Sequence, residues 1–394
     1  MKPNLRAAIR GGLFLHEGQE LNQHVVIFGE TIEALTTEAE FDRLRKDDPA
    51  YADLPVMDAT DLVLSPGLID LHIHGSGGAD VMSASLSDLE TLSMTIAQRG
   101  TTAFLGTTLA ADWADIYRAL DTVRSAMEVG LPGAQVLGAH LEGPYLNPVK
   151  KGAHLERYLD TPKVAHIEAY TDVIRYMTLA PELPGAMDFI AHMTKNHPDI
   201  VLSMGHSGAT YEEAVAAVDA GIRSTTHLFN AMTGLHHRDP GMVGAALDTD
   251  VNVEVIADGV HVHEGALRLA YKVKGPDQIT LITDAMEAAC LKCGQYVLGD
   301  QDVTVDETSV RLADGTLAGS ILTLDAGVRK MMALGVPRDQ ALAMATSVPA
   351  KLLGIENKRG TMRTGSRADF VVFDKEMNVV QTLVAGRSVY RKTM

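Results

Sequence analysis

Short, almost uninterrupted apolar runs recur through the middle of the chain, at residues 68–73, 101–108, 135–141, 174–180, 199–204, 223–227, 252–257 and 279–283. Runs of this length without polar alternation predict strands buried on both faces. Between them lie stretches with helical spacing, among them 86–99, 111–128, 186–197 and 210–220. The last opens with Thr210 and carries Glu213 three positions on, the spacing of a capping box. Strand and helix in eightfold alternation predict an α/β fold, a (β/α)8 barrel over residues 65–360, with a doubly wound sheet as the alternative.

The two ends break this rhythm. Val25-Val26-Ile27-Phe28, Phe370-Val371-Val372-Phe373 and Val379-Val380 are short β-like runs among turn residues, with no convincing helix between them. Residues 1–64 and 361–394 are therefore expected to form one small β-sandwich domain beside the barrel.

Composition narrows the function. Of 394 residues 46% are apolar, enough for a large core, and 34 Lys and Arg against 51 Asp and Glu leave a net charge of −17. Such a chain repels a phosphate backbone, and no basic tract offsets this, so nucleic acid is not an expected partner. A small anionic substrate needs only a few local cations. The opening Met1-Lys2-Pro3-Asn4-Leu5-Arg6 lacks the apolar segment of a signal peptide, and no run reaches the roughly 18 apolar residues of a membrane span. A cytoplasmic protein without membrane contact is expected. Cys290 and Cys293 are half of a four-cysteine zinc site at most and read as incidental thiols.

The chemistry gathers at strand ends. His72-x-His74 closes the first barrel strand, and alternation puts both imidazoles on one face. The third strand ends in His140-Leu141-Glu142, the fifth in Gly205-His206, the sixth in Thr226-His227 and the eighth in Thr283-Asp284. The carboxyl ends of barrel strands are where this fold builds its sites. Histidines and carboxylates converging there are costly to desolvate without a cation, so a metal centre is expected.

Pro66-Gly67-Leu68-Ile69-Asp70-Leu71-His72-Ile73-His74-Gly75 resembles the opening signature of the amidohydrolase superfamily, and Gly365-Ser366-x-Ala368-Asp369-Phe370 resembles its return strand. Within it, His140-Leu141-Glu142-Gly143-Pro144-Tyr145, Lys151-Gly152-Ala153-His154, Gly205-His206-Ser207, His227-Leu228-Phe229-Asn230-Ala231-Met232, Asp258-Gly259-x-His261 and Leu317-Ala318-Gly319-Ser320 are similar to the N-acetylglucosamine-6-phosphate deacetylase family. The likeness runs in order over about residues 60–375.

The resemblance implies a hydrolase of amino-sugar metabolism. It makes Glu142, His206 and His227 ligands of a shared divalent metal, with His72 and His74 adding a second ion; zinc comes first, with iron, manganese or cobalt as alternatives. It makes Asp284 the general base and acid and His154 the group that polarises the acetyl carbonyl. Asn230, Ala231 and His261 would hold the phosphate, Arg238 would reach it from the neighbouring subunit of a homodimer, and Leu317, Ala318 and Gly319 would wall the acetyl group. The galactosamine epimer is the nearest alternative substrate. A cyclic amidohydrolase of the dihydroorotase kind usually carries a carboxylated lysine at a strand end, and Thr178-Leu179-Ala180-Pro181-Glu182 has none. A silent metal-binding or scaffold protein would have lost Asp284 or a ligand. His236, His237 and His263 read as loop residues.

Overall fold

Eight parallel strands form the central sheet of the computed structural model, which describes residues 6–16 and 18–393. They are β1 (Leu68–Ile73), β2 (Thr101–Thr107), β3 (Gln135–Glu142), β4 (Ile174–Leu179), β5 (Val201–Met204), β6 (Ser224–Thr225), β7 (Asn252–Ile256) and β8 (Ile279–Ile282), paired in that order. Ile69, Leu71, Ala103, Leu105, Tyr176, Val201, Ile256 and Ile282 pack together, and residues from six strands can meet only inside a barrel. The larger cluster, with Leu68, Phe104, Ile116, Leu120 and Val253, fills the layer between strands and surrounding helices. The expected helices stand at Leu86–Ala97, Trp113–Val129, Ala186–Asn196 and Tyr211–Ala220. The last carries both arms of its capping box, Glu213 N–H to Thr210 Oγ1 at 3.2 Å and Thr210 N–H to Glu213 Oε2 at 2.9 Å.

The seam between β8 and β1 closes at two levels. At the rim Asp284 N–H meets His72 O at 2.8 Å and His74 N–H meets Ala285 O at 2.9 Å. Lower down a helix junction is wedged between the strands: Ile69 N–H bonds Ala345 O and Leu281 N–H bonds Met344 O. β1 also carries a bulge, because Asp70 and Ile73 oppose Phe104 and Gly106, three residues against two. The bulge lets Ile69 and Leu71 fill the interior below while His72 and His74 still face it above.

Strands from both ends of the chain make two further sheets. Ala7–Arg10, His24–Phe28, Ile32–Thr37 and Val56–Asp58 form one; Leu13–His16, Gln19–Leu21, Val63–Pro66, Phe370–Phe373, Val379–Val384 and Arg387–Arg391 form the other. Phe14, Phe28, Leu64, Phe370 and Val372 meet between them. At about 1.5–3 kcal/mol per buried large side chain, these contacts hold the two ends together. The helix Glu38–Asp47, absent from the sequence expectation, lays Phe41 over the outer face against Val25 and Ile27.

A second addition lies after β8, where Gly294–Leu298, Gln301–Val305 and Val310–Arg311 form a three-stranded antiparallel sheet over the rim. Eightfold alternation leaves no place for it. Its hairpin turn binds the loop after β3: Arg157 and Tyr158 reach Asp300 at 2.8 and 2.7 Å, and Gln301 donates to Ala153 O. Among the described residues no helix is long and apolar enough to cross a membrane.

Candidate metal centre and active site

The marked strand ends arrive at one point. Glu142 stands at its middle: Oε1 lies 3.2 Å from both His206 Nε2 and His227 Nε2, and Oε2 lies 3.1 Å from His74 Nε2 and 3.4 Å from His72 Nε2. Within each pair the imidazoles nearly touch, with Nε2 atoms 3.0 Å apart for His206 and His227 and 3.3 Å apart for His72 and His74. Asp284 Oδ1 closes the second pair at 3.4 and 3.3 Å from the two rings. His206, His227 and Asp284 hold left-handed backbone, with φ of 48°, 32° and 49°. Such residues cost of order 1–3 kcal/mol each and persist only where neighbours fix them.

Hydrogen bonds on the far side of three of the rings settle where the proton sits there. His206 Nδ1 faces the carbonyl of Lys150 at 2.8 Å and His72 Nδ1 faces Glu254 Oε2 at 3.2 Å. Both partners only accept, so both Nδ1 atoms carry hydrogen and Nε2 is the atom left to face a cation. His154 is the reverse. Its Nδ1 accepts the backbone N–H of Ala110 at 3.2 Å, leaving Nε2–H aimed at the site, 3.5 Å from Glu142. Imidazole Nε2 atoms and carboxylate oxygens converging in this way fit a divalent cation in each half; His154 is a donor.

Electrostatics agree. Burial alone would discharge His72 and His74, yet Glu142 and Asp284 outweigh it, holding His72 well above the usual histidine range and His74 at about 9 in the metal-free chain. Burial would raise Glu142 and Asp284, yet the facing histidines keep both well below the carboxylate range. His154 goes the other way, to about 4, because burial dominates. The centre thus calls for positive charge, while His154 stays neutral.

A cavity of about 500 Å³ opens onto this cluster. Asn230, Ala231, His261, Leu317 and Gly319 line it, as the sequence motifs anticipate. Ala318 does not; it is buried among Met286, Leu298 and Val310 in the core of the added sheet. Arg238 is exposed on its loop, 2.8 Å from His237, and is not a wall of the cavity within its own chain. His263 caps the helix Glu264–Lys274 by accepting Gly265 N–H, and Cys290 and Cys293 are exposed.

Several residues at the site lack a forecast. Lys150, Leu298 and Arg311 line the cavity from loops and from the added sheet. Glu182, at the end of β4, accepts from Asn147, Ser207 and Gly208 and so braces the loop of His206. Asp258 accepts from the His261 ring at 2.6 Å. Asp70, pushed up to about 7 by burial, joins His72 N–H to Thr283 beneath the centre. Asp70 and Glu254 each stand as a lone carboxylate inside an apolar run, and that is the signal that could have found them.

The pattern common to amidohydrolases matches residues 63–389, spanning the barrel and the return strands. The chain belongs to the amidohydrolase family. This amidohydrolase is 42% identical over 350 residues to the N-acetylglucosamine-6-phosphate deacetylase of Vibrio furnissii, covering 87% of this chain and 86% of that protein. It is 41% identical over 331 residues to an N-acetylgalactosamine-6-phosphate deacetylase of Escherichia coli, covering 82% and 87%. The crystal structure of the Pasteurella multocida N-acetylglucosamine-6-phosphate deacetylase superposes with a TM-score of 0.90 at 31% identity, over 97% of this chain and 99% of that one. A mutant of the Mycobacterium smegmatis enzyme in complex with N-acetyl-D-glucosamine-6-phosphate superposes at 0.87 and 31% identity, over 98% and 99%.

Proposed function

We propose that this amidohydrolase hydrolyses the acetamide of N-acetylglucosamine 6-phosphate, releasing glucosamine 6-phosphate and acetate. The observation that carries the reading is the opposition of His154 and Asp284 around the histidine–carboxylate cluster: one neutral donor and one ionised acceptor facing the same cavity. Glu142, His206 and His227 would hold one divalent ion; His72 and His74, with Glu142, a second, and zinc suits the nitrogen-rich set. When bound, such an ion polarises a carbonyl and brings the pKa of water down to about 7.

The remaining work falls to the chain. Asp284 takes a proton from the attacking water and returns it to the departing amine, which would otherwise leave as a high-energy anion. His154 Nε2–H donates to the acetyl oxygen as negative charge develops there, a contribution of about 3 kcal/mol for a well-placed donor. Leu317 and Gly319 bound the acetyl end, while Asn230, Ala231 and His261 take the sugar phosphate, with Ala318 serving to shape their wall from behind. Arg238 would complete the phosphate pocket of the neighbouring subunit in a homodimer. In this reading residues 65–360 are the catalytic unit, 1–64 with 361–394 its scaffold, and the enzyme works in the cytoplasm.

The E. coli relative of the galactosamine series is nearly as similar as its glucosamine counterpart, which supports a second reading on the 4-epimer. Turnover of the two N-acetylhexosamine 6-phosphates, measured side by side, decides. A kcat/KM at least tenfold higher for the glucosamine substrate is expected; the reverse order would overturn the assignment.

A further inference from the structure

Glu254 is fully buried on β7, directly beneath the metal centre. Its Oε2 accepts from the ring of His72 at 3.2 Å and from the backbone N–H of His227 at 3.3 Å, while its main-chain carbonyl accepts Leu228 N–H at 2.8 Å. One carboxylate oxygen thus touches a residue of each half of the cluster. Its Oε1 is also buried and accepts no hydrogen bond of ordinary length, Tyr176 being a polar group that faces this carboxylate. A buried carboxylate with a bare oxygen is a burden on folding that an apolar residue in the same strand would not impose.

The gain lies in the ring it faces. Of the four histidines read as ligands, two have an oriented far side: His206 against a loop carbonyl and His72 against Glu254. The Nδ1 atoms of His74 and His227 have no partner among the described residues. Without Glu254, nothing here would keep the His72 proton on Nδ1, and Nε2–H would then point at Glu142 and Asp284 in place of a lone pair. The bond to His227 N–H also supports a residue held at φ of 32°.

We propose that Glu254 is a positioning residue: it fixes His72 as a metal ligand through Nε2 and anchors His227, so that the chain holds two divalent ions and not one. The inference rests on the metal-centre reading above and deepens it. Outer carboxylates of this kind typically change metal affinity by about 10- to 100-fold when removed.

Zinc content per chain and zinc affinity by chelator competition test this on the wild type, Glu254→Gln and Glu254→Val, with melting temperatures of zinc-loaded and zinc-stripped protein alongside. The wild type is expected to hold two ions. Glu254→Gln, which keeps an acceptor but not the charge, should hold its weaker ion about 10- to 100-fold less tightly, and Glu254→Val should hold one. Stripped Glu254→Val should melt below stripped wild type, because the His72 ring and His227 N–H lose their buried acceptor, and the gain in melting temperature on loading should shrink in both variants. If Glu254→Val does not fold, the chelator competition on Glu254→Gln decides alone. Two ions at wild-type affinity in the variants would overturn the proposal, as would a gain in melting temperature on zinc loading equal to that of the wild type. A wild type with one ion overturns the proposal while leaving the metal-centre reading; one that binds no zinc overturns the metal centre itself.

Discussion

Ala110 gives its backbone N–H to His154 Nδ1 at 3.2 Å, and this contact turns the ring's own hydrogen toward the cavity. Among the rings at the rim, His206 and His72 present lone pairs and His154 presents a donor, although all are histidines on barrel loops or strand ends. The difference is testable. His154→Phe should retain wild-type metal content, lower kcat by about 10²- to 10³-fold and leave KM within a few-fold, as expected for a donor that acts on developing charge. Loss of an ion from that variant, measured by elemental analysis, would make His154 a ligand.

Asp284→Asn removes the acceptor while leaving a side chain of the same shape beside His72 and His74. Metal content should stay near wild type and turnover should fall at least 10²-fold, the usual scale of a proton-transfer group. A variant retaining more than about a tenth of wild-type turnover would remove Asp284 from the proton path.

Glu142 bridges both histidine pairs, so its loss should reach further than the loss of either pair. Glu142→Ala and His206→Ala should each abolish activity together with the ion at His206 and His227, and Glu142→Ala should weaken the other ion too. The double replacement of His72 and His74 by Ala should cost at most one ion per chain. A double variant with no metal at all would reverse this order of importance.

The stripped enzyme should respond to pH through its histidines. His74 is held at about 9 without metal, above its unfolded value, so its contribution to stability is fully present below about pH 6.5 and disappears as pH rises through 9. Zinc must displace that proton. Calorimetric titrations in buffers of different ionisation heat should therefore register proton release on zinc binding at pH 7.5 that declines as pH rises through 9.

Arg238 makes its nearest contact with His237, on an exposed loop. If it serves the neighbouring subunit, Arg238→Ala should raise KM for the phosphorylated sugar strongly and scarcely affect unphosphorylated N-acetylglucosamine. Mixing it with Asp284→Asn chains should restore activity, since one mixed dimer then contains one complete site. Heterodimers without recovered activity would place the arginine's role, if any, within its own chain.

The barrel is legible because strands buried on both faces leave unbroken apolar runs, and the ligand positions are legible because charged residues interrupt those runs at their carboxyl ends. Ring tautomers are not. They depend on Lys150 O and on Ala110 N–H, backbone atoms whose position no side chain announces. The sixth strand is only Ser224–Thr225, because the chain already turns into Thr226–Asn230, where His227 and Phe229 are left-handed. The added sheet alternates half-buried and exposed residues from Gly294 to Val297 before the buried Leu298, a two-sided pattern hidden by the search for fully buried strands. Arg238 carries no such record at all, since its proposed ligand belongs to another subunit.

Val63–Pro66 pairs residue for residue with Phe370–Phe373 and also lies beside Leu13 and Phe14. A ribosome therefore delivers this strand about 300 residues before the tail that covers its second edge. Through most of translation the N-terminal strands wait with an open edge, the kind of surface that recruits other chains. The strand that closes it follows the whole barrel, so a premature stop between residue 361 and Phe370 would release a product whose barrel is entire and whose N-terminal sheet is ready to aggregate.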